Sequence, residues 1–130
     1  ANDMQTIKAF VEAESYNGPS LIIAYSHCIN HTYEIDKNGL EHQKNAVETG
    51  FWPLYRFDPR RVAEGKPGLQ LDSKAPTKPI AEFMANEGRF QIVKKQDPER
   101  YERLVEYAQE QVEERRRLYE HLAAGAKAAE

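Results

Sequence analysis

The single cysteine of this chain, Cys28, closes the run SLIIAYSHC, with His27 directly before it and His31 three residues after it. Three chemistries are open to a thiol so placed. Imidazoles close in space lower a thiol's pKa and turn it into a nucleophile. A thiolate is also a ligand for iron or zinc. A cysteine beside an apolar strand is, more plainly, a small buried hydrophobe with no chemistry at all. The residues alone leave these alternatives open. A nucleophile needs an orienting group and oxyanion donors, and the sequence identifies neither. A metal ligand needs three further ligands from other segments of chain. His42 and His121 fall on predicted helices and are expected to face solvent. No glycine-rich phosphate loop, HExxH, CxxC or GxSxG occurs.

The elements around Cys28 place it at a position where sites are found. Asn2 and Asp3 are helix-capping residues, followed by Met4, Ile7, Phe10 and Val11 at helical spacing. Asn17-Gly18-Pro19 is a turn signal that ends this helix near Tyr16. Ser20 to Tyr25 is continuously apolar after the serine, the pattern of a strand covered on both faces, as in a parallel sheet. Helix, turn and buried strand make the second half of a βαβ unit, whose first strand is expected outside these residues. Ligands of open α/β sheets sit beyond the carboxyl ends of the strands, and Cys28 is three residues past this one.

Further along, Leu40 to Thr49 reads as a short helix presenting Leu40, Gln43 and Val47 on one face, with Gly50 as its stop. Phe51 to Phe57 is aromatic and strand-prone, confined by Pro53 to an edge strand or extended segment. Asp58 to Pro79 is proline-rich, reads as an extended arm over the surface of something else, and holds one more short strand in GLQLDS. Pro79 to Lys95 reads as helical, weakened by Gly88. Asp97-Pro98-Glu99 then opens a long amphipathic helix, with Tyr101, Val105, Ala108, Val112, Tyr119 and Leu122 in 4-3-4 steps and Arg115 as the interruption. Residues 97–130 carry nine acids and six bases while residues 1–96 carry twelve of each, so the net charge of -3 sits on this helix as a solvated face.

Composition narrows the function classes. The 130 residues are 40% hydrophobic and 30% charged, which suits one soluble domain. A net charge of -3 gives no reason to expect nucleic acid or anionic membrane as a partner. No run approaches the roughly 18 apolar residues of a membrane span, and no signal peptide is expected. One cysteine allows no internal disulfide, so a reducing, cytoplasmic setting is expected. For the same reason a four-cysteine iron–sulfur or zinc site cannot be completed from these residues.

Several blocks of the sequence carry a resemblance. QTIKAFVEAESYNGPSLIIAYSHCINH (5–31), GLEHQKNAVETGFWPLYRFDP (39–59), LQLDSKAP (69–76), ANEGRF (85–90) and DPERYERLVEYAQEQVEERRRLYEHLA (97–123) together resemble the last part of the thiamine-diphosphate domain of pyruvate:ferredoxin (flavodoxin) oxidoreductases. That resemblance implies an α/β fold: residues 1–96 as the C-terminal portion of a parallel-sheet thiamine-diphosphate-binding domain, and 97–130 as a C-terminal helical extension. It implies an enzyme that oxidatively decarboxylates pyruvate, gives the acetyl group to coenzyme A, and passes single electrons through iron–sulfur clusters to ferredoxin or flavodoxin. It implies that Cys28 is one ligand of the 4Fe–4S cluster nearest the thiamine, with three partner cysteines far upstream. The motif for thiamine diphosphate and Mg2+ is upstream as well, so these residues are expected to work as a piece of a larger, homodimeric enzyme. Asn30 and His31 are expected to hydrogen-bond near the cluster or to line the thiamine side. Where the family has glycine after the CINH histidine this chain has Thr32, which puts the path of that loop in question if the glycine serves a left-handed turn.

The competing reading is a non-catalytic interaction module that binds a partner helix through the stripe at 101–122. What covers SLIIAY separates the two. A self-sufficient domain must supply neighbouring strands for it, whereas a piece of an enzyme leaves it without them.

Overall fold

The computed structural model describes residues 2–27 and 35–125, with the side chains of 35–37 excepted. Eight elements follow in order: α1 (Asp3–Glu14), α2 (Ile35–Glu48), β1 (Tyr55–Phe57), α3 (Pro59–Ala63), β2 (Leu69–Leu71), α4 (Ile80–Ala85), α5 (Gly88–Gln96) and α6 (Pro98–Ala124). The long helix begins where its signals stand: the Asp97 side chain accepts the backbone N–H of Arg100, and Pro98 fills the first helical position. The first helix is capped in the same way, Asn2 accepting the N–H of Gln5. The predicted helix over 79–95 breaks at Asn86-Glu87 into α4 and α5.

The core forms where α2, α4 and α6 meet, from Ala46, Ile80, Phe83, Met84, Tyr101 and Val112, with Val105 and Ala108 packed against it. The apolar stripe of α6 from Tyr101 to Val112 is therefore used within the chain, which weakens the reason to give it to a partner helix. Arg115, the interruption in that stripe, also has a task inside the molecule. Its guanidinium donates to the carbonyls of Gly50 (2.9 Å) and Phe51 (3.0 Å), just past the end of α2, where helix-end carbonyls need donors. Gly50 has φ of 73°, and a Cβ there would lie 2.7 Å from Val112 Cγ1 and 2.8 Å from Pro76 Cγ. Both the left-handed backbone and the close approach of α6 require glycine at this stop.

Among the described residues the sheet has two strands, antiparallel, with Tyr55 opposite Leu71, Arg56 opposite Gln70 and Phe57 opposite Leu69. The chain between them is not a bare arm: Asp58 caps α3, its side chain accepting the Arg60 N–H. The Arg60 guanidinium on the same carboxylate holds Asp58 below the usual carboxylate range.

The parallel strand expected at Ser20 to Tyr25 is not formed. The segment is irregular, and Leu21 and Ile23 are 83% and 64% exposed. An apolar run signals that something covers it, and strand geometry needs a neighbour to pair with. No described strand of this chain lies beside it. The same inversion marks α1, which has no buried residue and exposes Met4, Ile7, Phe10 and Val11. Polar side chains hold it instead. Arg56 donates from Nη1 to Glu12 Oε2 (2.7 Å) and from Nε to Asp72 Oδ2 (2.8 Å), and Gln70 and Gln5 add bonds to Glu12 (3.2 Å) and Asp72 (3.2 Å). Arg56→Met removes the charged donor from two half-buried carboxylates, and is expected to cost about 1–3 kcal/mol. A urea titration checks it, and an unchanged midpoint would show that α1 is held by something else.

Exposure predicts dynamics as well. In this chain alone, amides from Leu21 to Ile23 are expected to exchange with solvent far faster than those from Tyr101 to Val112 in α6. Strong protection across 21–23, followed by mass spectrometry, would mean that the segment has found a partner strand.

Candidate functional site

The irregular segment changes character just before Cys28. Tyr25 and His27 are half-buried while Ser26 between them is exposed, the alternation of an extended chain with one face against the protein. Tyr25 enters an aromatic cluster, its ring 5.6 Å from Phe51, edge to face, and 5.5 Å from Trp52. Phe83 lies at the centre of that cluster, fully buried, stacked on Phe51 at 4.2 Å on one side and on His42 at 4.6 Å on the other.

His27 sits against α2. Nε2 of Gln43 lies within hydrogen-bond distance of Nδ1 of His27, at 3.0 Å. The His27 ring meets His42 edge-on at 6.1 Å. His42 is 1% exposed, and its Nε2 lies 3.1 Å from Oε1 of Glu87. Glu87, also buried, stands at the break between α4 and α5 and accepts as well from Arg89 Nε and, at 3.5 Å, from the Tyr25 hydroxyl. One carboxylate thus ties α2, the α4–α5 junction and the run-up to Cys28 together.

The expectation that His42 faces solvent is therefore corrected, while His121 is exposed as expected. The predicted face of α2 is corrected too. Leu40 is 90% exposed, and the helix turns His42, Asn45 and Ala46 inward, with Thr49 buried just past its end. Two of these polar groups bond as follows: Asn45 Oδ1 accepts from Lys78 Nζ (2.7 Å), and Thr49 Oγ1 donates to Asn45 O (2.7 Å). Lys78 also pairs with Glu48 at 2.8 Å, and this donor holds the Glu48 carboxyl below its usual range. Apolar periodicity could not find this face, because its members are polar.

Cys28, Asn30, His31 and Thr32 lie outside the described residues. What sequence reasoning missed is Glu87, the buried role of His42 and the contact of Gln43 with His27. Their only sequence signal was membership of the 39–59 and 85–90 blocks. Among the described residues, no helix is long and apolar enough to cross a membrane.

No family model matches the chain. Individual relatives do. The chain is 54% identical, over its whole length, to pyruvate-flavodoxin oxidoreductase of Rhodospirillum rubrum, of which it covers 11%. It is 46% identical over 95% of its length to pyruvate-flavodoxin oxidoreductase of a Nostoc species, covering 10% of that protein. It is 45% identical over 96% of its length to pyruvate:ferredoxin oxidoreductase of Moorella thermoacetica, covering 11%. The chain thus spans about a tenth of the length of these curated relatives. The resemblance carried by its sequence blocks is borne out: nearly end to end, this chain is similar to one segment of pyruvate-flavodoxin and pyruvate:ferredoxin oxidoreductases.

Proposed function

We propose that these residues work as the C-terminal part of an oxidoreductase that converts pyruvate and coenzyme A to acetyl-CoA and CO2 and reduces ferredoxin or flavodoxin. The observation that carries this reading is 45–54% identity across 95% or more of the chain to enzymes with those names. Residues 1–96 complete a parallel-sheet domain that binds thiamine diphosphate and Mg2+ through upstream residues, and 97–130 extend it as a helix. The exposed Leu21 and Ile23 support this, since a neighbouring strand from the rest of the enzyme would cover both. The working form is a cytoplasmic homodimer.

Within that enzyme Cys28 is a ligand of the 4Fe–4S cluster nearest the thiamine. The donor set of this chain fits one corner of such a cluster and no more, because four thiolates are needed and one is present. When bound, the cluster supplies a one-electron acceptor next to the thiamine. Cys28 holds it in place as a deprotonated thiolate. Asn30 and His31 hydrogen-bond near it or line the thiamine side, which sets its potential and excludes water.

Purification of the native polypeptide that carries these residues tests the reading. The expected result is a chain about ten times longer than 130 residues that reduces flavodoxin or ferredoxin only when pyruvate and coenzyme A are both present. A 130-residue polypeptide without that activity would overturn it.

A further inference from the structure

We propose that the outer face of α1 (Met4, Ile7, Phe10 and Val11) and the run at Leu21 and Ile23 form one internal seam, closed by a sheet from the same polypeptide outside these residues; this rests on the reading of the chain as part of a longer oxidoreductase. α1 has two unlike sides. On one, Glu12 accepts from Arg56 and Gln70, and Gln5 donates to Asp72. Arg60 of α3 adds bonds to the Ser15 carbonyl (3.0 Å) and hydroxyl (2.9 Å) just past the helix end. On the other side, four large apolar side chains are each more than half exposed. Ser20 Oγ donates to Ala13 O (2.9 Å), so the apolar run starts beside the last turn of the same helix. The polar bonds therefore fix the helix with its apolar face outward, an arrangement that marks an interaction surface.

The order of the elements decides what covers it. A helix, a tight turn and a strand apolar on both faces pack so that the helix lies on the sheet the strand joins, and the strand before the helix belongs to the same chain. The relatives that this chain matches nearly end to end are about ten times its length, so there is ample chain to supply such a sheet. An electron carrier that must leave after each transfer suits a small contact, and a face this apolar suits a permanent one. A second copy related by a two-fold axis would set the run antiparallel to itself, covering one edge of it and neither face.

The test uses the full-length oxidoreductase without added flavodoxin or ferredoxin. Hydroxyl-radical footprinting, read by mass spectrometry, compares the oxidation of Met4 and Phe10 in the native and the urea-unfolded enzyme. Native oxidation is expected to be about 10-fold lower, the order of the difference between the 63% exposure of Met4 in this chain and the 4% of Val112 in the core. Ile7→p-benzoylphenylalanine then identifies the cover. Irradiation is expected to link residue 7 to a peptide outside these 130 residues, with the polypeptide mass unchanged. Where that variant does not fold, Leu21→p-benzoylphenylalanine replaces it, and the footprinting needs no variant at all. Oxidation of Met4 and Phe10 as fast as in urea, or protection that comes only when an electron carrier is added, overturns the proposal. So does a photoproduct of doubled mass, the result for a second copy. If the enzyme reduces flavodoxin or ferredoxin with pyruvate in these cases, the proposal falls alone. A native polypeptide of only 130 residues overturns the reading beneath it as well.

Discussion

Truncating Phe83 to alanine is expected to destabilise the chain by about 3–5 kcal/mol, the usual cost of removing a fully buried aromatic ring. Phe83 is 0% exposed and stacks on two rings from different parts of the chain, Phe51 after α2 and His42 within it. Its removal leaves a cavity that neither ring can fill, since His42 is tied to Glu87 and Phe51 lies beside Arg115, which binds its carbonyl. Domains of this size have a total stability of about 5–15 kcal/mol, so the loss is a large fraction of it. The effect also reaches the site. Tyr25 packs on the same cluster, at 6.5 Å from Phe83, and it anchors the segment before Cys28. Urea unfolding followed by the fluorescence of Trp52 measures the loss. Phe83→Leu is expected to recover part of it, and a cost under about 1 kcal/mol for Phe83→Ala would show that the core is loosely packed around this ring.

The helices were legible in the sequence wherever local chemistry set their ends. Asn2, Asp97 with Pro98, and Gly50 each act within a few residues of themselves, so their neighbours in sequence suffice to predict them. Burial was harder to see. Apolar periodicity found the inward face of α6, where Tyr101 and Val112 are buried, and failed on α2, where polar groups face inward and bond across the chain. His42 reaches Glu87 over a separation of 45 residues, and no local pattern encodes that. The run at 20–25 failed differently. Its apolarity reports a requirement for cover, and within these residues nothing meets it. The likeness to one segment of much longer enzymes accounts for that mismatch: the run was read as a strand apolar on both sides with its partner strand outside these residues, and in this chain it takes no strand geometry.

Cys28 is where the largest functional effect is expected. If it is one of four thiolates, three cannot hold the cluster with the same strength, and electron transfer from the thiamine is interrupted at its first step. On the proposed reading the binding of thiamine diphosphate depends on other residues, and it is expected to survive. The isolated chain, with a single thiol, is expected to bind no stable 4Fe–4S cluster on anaerobic reconstitution with iron and sulfide. Counting iron and thiamine in the full-length oxidoreductase with Cys28→Ala tests the account most directly. The account predicts a loss of roughly four irons per polypeptide and of the spectrum of the cluster nearest the thiamine, with thiamine diphosphate retained. A variant with its iron complete and its thiamine diphosphate lost would contradict it.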